Sequence, residues 1–466
     1  MSTLSRRSFL AASAALAAAP ALGAVPASGE VEVAIVGAGA AGIAAARRVA
    51  AANRRFALLE AGSGIGGRCV TDTRIFGMPY DLGAHWIHNP DSNPLHRLAP
   101  KAGLDLYPAP RGQTVRVGPR NARDAELENF LSLLVRSHRA VADAGRAKTD
   151  VAAAALPHDL GDWQDTIEFI LGPYGCSKDL KAVSAVDLAR ASERDADAFC
   201  RQGYGALLAR LAADLPVRLA TPARRIEWDR NGVDVETPKG MLRARTVIVT
   251  VSTNVLASGK IEFRPELGKR QLDAAAKLSL GSFDHIALEM PGNPLDLQAD
   301  DVVFEQAAGA RTAALLANVS GTSLHLIEVA GEFGRELAAK GRAAMIDFGG
   351  DWLAALFGSD VKRAIKRSHA TRWNDEPWVL GAMSAAAPGS ADARKTLMEP
   401  VGGRIWFAGE AVHETEWGTV AGAWDSGTRA AEAALRRMGV LKEPDGDKPA
   451  RRPRERPRRR RRGEDD

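Results

Sequence analysis

Residues 31–68, VEVAIVGAGAAGIAAARRVAAANRRFALLEAGSGIGGR, constrain this chain more than any other stretch. Residues 31–36 are a short apolar run rich in β-branched side chains, which predicts a buried strand. The run stops at Gly37, where a tight turn opens an alanine-rich helix. The turn is Gly37-Ala38-Gly39-Ala40-Ala41-Gly42, a G-x-G-x-x-G pattern. Gly37 permits the sharp turn, Gly39 lets a pyrophosphate approach the backbone, and Gly42 lets helix and strand pack closely. The helix N-terminus then faces an anion. A second apolar run, Phe56–Leu59, ends at Glu60, 23 residues after Gly37. An acidic side chain there meets a ribose hydroxyl, which argues against a 2′-phosphate. Strand, turn, helix and acid in this order predict an α/β dinucleotide-binding unit.

The continuation through Gly66-Gly67-Arg68 completes the series E-A-G-x-x-x-G-G-R, which resembles the flavin amine oxidases. The resemblance implies noncovalently held FAD rather than NAD, with Arg68 neutralising pyrophosphate charge. It covers residues 31–438 and implies a FAD-binding Rossmann-like domain of glutathione-reductase type, with an inserted mixed α+β substrate domain. The expected boundaries are 28–100, 201–262 and 399–440 for the FAD domain and 101–200 and 263–398 for the substrate domain. By the same resemblance Gly37, Gly39, Ala41, Gly42, Glu60, Ala61, Gly67, Arg68, Gly83, Ala84, His85 and Trp86 bind the cofactor. So do Ala223, whose backbone meets the adenine, and Trp378, Gly409, Glu410, Thr419 and Val420.

At 466 residues the chain exceeds one ordinary domain and suffices for two sizeable cores. Its formal net charge of +5 sits at the ends. Residues 442–466 hold 11 basic and 7 acidic side chains, Arg6 and Arg7 add two charges, and the remainder is near −1. The basic balance therefore does not imply a nucleic-acid-binding body, and no nucleic-acid partner is expected. Ser5-Arg6-Arg7-Ser8-Phe9-Leu10, an alanine-rich apolar run and Val25-Pro26-Ala27 read as a twin-arginine signal peptide over 1–27. That predicts export of the folded protein to the periplasm. No segment reads as transmembrane. Residues 441–466, rich in arginine and proline, predict a disordered basic tail. Cys69, Cys176 and Cys200 imply no disulfide framework and no metal site.

The stretch Gly83-Ala84-His85-Trp86-Ile87-His88 with Asn89-Pro90 is similar to the polyamine-oxidase branch of that family. If residues 82–88 are extended, Trp86 and His88 share one side and His85 and Ile87 the other. By resemblance His88 is the substrate-side histidine. His285 stands where the family commonly has a lysine holding a water against the flavin N5. Lysine would supply a fixed positive charge, and histidine supplies one conditionally. Trp417 is expected to form a wall of the amine site. Thr419 stands where monoamine oxidases carry a tyrosine, and the helix from Val420 should point its N-terminus at the flavin. Catalytic candidates are thus His88, His285, Trp417 and Thr419. Asp124 to Ala142 reads as an amphipathic helix with Leu127, Phe130, Leu131, Leu134, Val135, His138 and Val141 on its core face. The rest of 101–200 reads as mostly helical and motif-free.

The expected reaction is oxidation of a primary or secondary amine, polyamine-like or monoamine, with O2 or a redox protein accepting the electrons. L-amino-acid oxidation, polyene desaturation and flavin binding without turnover are the alternatives. The amine and the oligomeric state stay open at this point.

Overall fold

The computed structural model describes residues 29–442 apart from 111, 147–148, 156–158 and 195. The expected signal peptide lies outside the described residues, as does nearly all of the expected basic tail.

The apolar run forms the strand Gly29–Val36, buried along most of its length because it sits inside a sheet covered on both faces. Phe56–Leu59 and then Val217–Arg218 flank it on one side, with all pairs parallel. On the other side lies Gly240–Val249, in parallel register from Gly29 opposite Leu242 to Val36 opposite Val249. That strand also pairs in parallel with Ile405–Phe407 and, through its first half, antiparallel with Val233–Thr237. Arg225–Trp228 and Val233–Thr237 form the hairpin that Asn231-Gly232 predicts, and Glu262–Arg264 closes the edge. One sheet thus draws strands from the beginning, the middle and the end of the chain.

Two helices cover the side that carries the glycine turn. Ala40–Ala51 springs from the glycine turn, and Val420–Arg437 packs along it. Their approach depends on Gly427, where an added Cβ would lie 2.0 Å from the carbonyl oxygen of Ala41.

A second, seven-stranded sheet runs Arg367–Ala370, Phe283–Glu289, Leu324–Ala330, Ala314–Leu316, Val302–Glu305, Thr114–Val117 and Arg120–Asn121. Ile286, Leu288, Ile327 and Val329 face one way and pack against the helices Gly331–Ala339 and Arg342–Phe357. The alternate positions, including Ala287, Leu324 and Leu326, face Phe76, Tyr80 and Phe199. A three-stranded sheet of Ile87–His88, Asp197–Cys200 and Leu106–Pro108 ties the segment after the glycine turn to the middle of the chain.

Residues 101–200 are less helical than their sequence suggests. Four of the strands named above lie there, short enough to carry no clear period-two signal. The helix Asp124–Ala144 forms as expected, but its core stripe is narrower: Phe130 and Val141 are buried, whereas Leu131 and Val135 are exposed. Cys69, Cys176 and Cys200 are buried thiols without a disulfide.

Candidate active site

Between the two sheets lies a cavity of about 1080 Å3. Its first end is the glycine turn. Gly37 has φ +105°, and a Cβ there would lie 2.5 Å from Thr250 Oγ1. A Cβ on Gly42 would lie 1.8 Å from the Gly37 carbonyl oxygen, so helix and turn could not meet. Gly39 differs, because the nearest protein atoms to its imagined Cβ are 3.9 Å away. What a side chain at 39 would fill is cavity, which is the fit expected if a diphosphate rests against that backbone.

Glu60 closes the far side of the turn, with Oε2 accepting from Ala38 N at 2.8 Å and Oε1 from Gly62 N at 2.7 Å. Each carboxylate oxygen keeps a further lone pair for a ligand hydroxyl. Arg68 donates to Glu410 Oε1 at 2.8 Å and to the carbonyl of Ala382. Glu410 Oε2 accepts from Ser384 Oγ at 2.7 Å and Gly418 N at 2.9 Å. These bonds carry the order inward to Arg394, whose guanidinium is buried against Asp187 at 2.7 and 2.8 Å. Such a pair holds loops in register more than it adds stability.

Of the expected cofactor residues, Gly37, Gly39, Ala41, Glu60, Ala61, Gly67, Arg68, Gly83, Ala84, His85, Trp86, Ala223, Trp378, Gly409, Glu410, Thr419 and Val420 line this one cavity. Gly42 lies behind the turn, where its missing side chain serves packing. The volume lies above the usual range for a small-ligand pocket, leaving room for a cofactor and a substrate together.

The second end is a chamber walled by Trp86, Tyr174, Phe283 and Phe304 and lined by His85, His88, His285 and Glu328. His85 Nδ1 meets Asp81 Oδ2 at 2.8 Å, and its Nε2 has no protein partner. Asp81 is buried and also accepts from Tyr204 N at 3.0 Å and from Thr71, so this histidine is held from below. His88 Nδ1 lies 2.6 Å from Asp197 Oδ1. Burial, with the nearby Arg194, nonetheless holds the His88 pKa below the ordinary imidazole value. His285 Nδ1 meets the Asp81 carbonyl at 3.0 Å, and burial pushes its pKa down to about 4. The ring is therefore neutral near pH 7, and the conditional charge expected at this position is absent there.

The structure corrects two readings. Trp417 does not form a wall. It is 1% exposed and packs in the core beneath the chamber, with the Arg394 guanidinium 4.6 Å from its ring centre. The turn at Gly418, with φ +71°, directs Trp417 inward while Thr419 and Val420 face the cavity. Thr419, on the cavity wall, also caps the helix: Oγ1 accepts from Gly422 N at 2.9 Å and donates to the Glu416 carbonyl at 2.7 Å. The alternation expected over 82–88 fails as well. Strand geometry covers Ile87–His88 alone, so His85, Trp86 and His88 all reach the cavity while Ile87 is buried in the core.

Tyr174, Arg194, Asp197 and Glu328 carry no sequence signal, since each stands outside a motif and reaches the chamber through sheet pairing or a bend in the chain. The Ile170–Tyr174 turn is a widened helical turn with Pro173 inside it.

A family model described as flavin containing amine oxidoreductase matches residues 40–435. The chain belongs to that family. Members of that family are flavin-containing amine oxidoreductases, and the cavity has room for a flavin. Among curated relatives, lysine-specific histone demethylase 1B of Mus musculus is 26% identical over 447 residues, covering 86% of this chain and 52% of the relative. Polyamine oxidase 4 of Oryza sativa subsp. japonica is 26% identical over 450 residues, covering 88% of this chain and 90% of the relative. The chain spans about half the length of the demethylases it matches. Among solved structures, wild-type putrescine oxidase bound to putrescine superposes with a TM-score of 0.76 at 20% identity, over 88% of this chain and 100% of the other. Cyclohexylamine oxidase from Brevibacterium oxydans IH-35A gives 0.74 at 23%, over 88% and 100%. These two share the fold of this chain.

Proposed function

We propose that this amine oxidoreductase removes a hydride from the α-carbon of a primary or secondary amine, polyamine-like or monoamine, giving an imine that hydrolyses to an aldehyde. The observation that carries the reading is the continuity of one cavity from the open backbone at Gly39 to an aromatic chamber with buried acceptor atoms. FAD, when bound without a covalent link, supplies the hydride acceptor and returns the electrons to O2 or a redox protein. Trp86, Tyr174, Phe283 and Phe304 keep the chamber dry and orient the amine. The N-terminus of Val420–Arg437, capped by Thr419, faces the cavity and stabilises negative charge developing there.

Anaerobic bleaching of the yellow protein by mono-, di- and polyamines, followed by air, tests this. Bleaching by one amine class supports the reading, and no bleaching by any amine overturns it. Because His285 is neutral, recolouring in air is expected to be slow. Turnover should rise with pH as the bound ammonium loses its proton; a flat rate across roughly pH 6 to 10 would count against hydride transfer from a neutral amine. A second reading, amino-acid oxidation, draws on Arg194 in the chamber wall. Asp197 and Glu416 already answer its charge, which favours the plain amine.

The export reading rests on Arg6-Arg7 and the apolar run that follows. A periplasmic protein is proposed, and replacing both arginines by lysine should trap yellow protein in the cytoplasm. Among the described residues no helix is long and apolar enough to cross a membrane.

A further inference from the structure

The strand Leu324–Ala330, LHLIEVA, is buried at all seven positions, and Glu328 is a carboxyl in the middle of that apolar run. It is 1% exposed and lines the chamber. Period-two alternation puts it on the cavity side with Leu324 and Leu326, directly opposite His285 on the paired strand. A buried carboxyl of this kind needs a partner, because an unpaired charge inside a protein is costly.

Among the described residues no cation lies within hydrogen-bond reach of this carboxylate. From the neighbouring strand comes His285, with Nε2 3.6 Å from Glu328 Oε1, too long for a hydrogen bond. Its Nδ1 faces the Asp81 carbonyl and carries the ring proton, so in the neutral ring Nε2 is an acceptor with nothing to donate. From the Ile170–Tyr174 turn comes the Tyr174 hydroxyl, which hydrogen-bonds the carboxyl, and from the loop before Ile87 comes His85. The other paired strand, Ala314–Leu316, brings no titratable side chain. Glu328 Oε2 and His85 Nε2 remain buried without protein partners. Burial pushes the Glu328 pKa up to about 7, more than His85 and Tyr174 pull it down.

The geometry points to Glu328 as the group that docks the substrate ammonium and takes one of its protons, with His285 Nε2 as the second acceptor beside it. The inference rests on the amine-oxidation reading. In the step, an N–H bond of the ammonium breaks and an O–H bond forms on Glu328. The buried ion pair becomes a neutral amine and a neutral acid, with no change in oxidation state. The lone pair released on nitrogen is the one hydride loss requires. Tyr174 keeps the carboxyl oriented while the amine arrives.

The test uses flavin-loaded wild type, E328Q and E328D, with tert-butylamine as a probe that has no α-hydrogen and is not oxidised. Calorimetric binding to wild type should tighten about tenfold per pH unit up to about 7 and then level off. E328Q should bind it at least roughly tenfold more weakly at pH 8, without that pH dependence, and E328D should keep the dependence. With an amine that bleaches wild type, anaerobic reduction of E328Q at pH 7.5 should be slower by on the order of a hundredfold, recovering only where the free amine deprotonates. If E328Q, yellow and cooperatively folded, keeps the wild-type pH profile in both measurements, Glu328 is not the acceptor. If E328Q does not fold, a pH-independent affinity of wild type and E328D for tert-butylamine overturns the proposal equally. Failure of every amine to bleach wild type would instead defeat the functional reading, and the tert-butylamine titration would still judge the ammonium site.

Discussion

The two ends of the cavity are built on different principles. At the nucleotide end the backbone is the binding surface, and the decisive property of Gly37 and Gly42 is the absence of atoms. At the chamber end side chains do the binding, and His85, His285 and Glu328 each keep a polar atom free of protein hydrogen bonds. A surface made of backbone tolerates no addition. A surface made of side chains can be exchanged while the frame stands, which is how one fold comes to serve different substrates.

The sharpest way to break this contrast is Gly42→Val. With 1.8 Å between the added Cβ and the Gly37 carbonyl, the turn must move, and we expect colourless protein destabilised by about 3 kcal/mol or more. Visible absorbance and denaturant unfolding report both; a yellow Gly42→Val protein would show the turn to be adaptable. Arg394→Met leaves Asp187 buried and unpaired, and should cost about 3–5 kcal/mol in urea unfolding.

The chamber's two titrating neighbours pull stability in opposite directions. Glu328 is raised to about 7, so its contribution is complete below its ordinary value and is lost as pH climbs through 7. His285 is lowered to about 4, so its contribution is complete above its ordinary value and is lost as pH falls through 4. E328Q should therefore raise the melting temperature at pH 8.5 by a few degrees and change it little at pH 4.5. A variant less stable than wild type at pH 8.5 would show that the carboxylate has a cation after all.

Smaller effects sharpen the picture. Trp417→Phe should leave the KM for amine unchanged and lower stability by about 1–2 kcal/mol through its packing on Arg394. A rise in KM would return Trp417 to the chamber wall. Thr419→Ala removes the cap of Val420–Arg437 at about 1 kcal/mol, read as a modest fall in melting temperature.

The same contrast governs what could be read beforehand. The glycine turn and Glu60 were read from local sterics and short spacing, whereas Arg68 came from resemblance and donates to Glu410 in the structure. Gly409, Glu410 and Val420 were also reached by resemblance; the strand Ile405–Phe407 delivers the first two to the cavity, and Val420 opens the last helix. Trp417 was misplaced because two residues of separation do not fix direction across a left-handed glycine. The alternation over 82–88 failed because most of that stretch lacks strand geometry. Glu328 was invisible: one acidic letter in an apolar strand acquires meaning only when the register sets it opposite His285. Tyr174 and Asp197 come from a region of short strands and bent turns, where periodicity says little.

The contact between Gly427 and Ala41 has a consequence for synthesis. The nucleotide turn is among the first described residues to leave the ribosome, and the helix that seats against it is among the last. The cofactor site therefore cannot close on a nascent chain that stops before Val420–Arg437. Colour is then expected only after translation has passed that helix, so that a yellow molecule is one whose chain reaches at least residue 437.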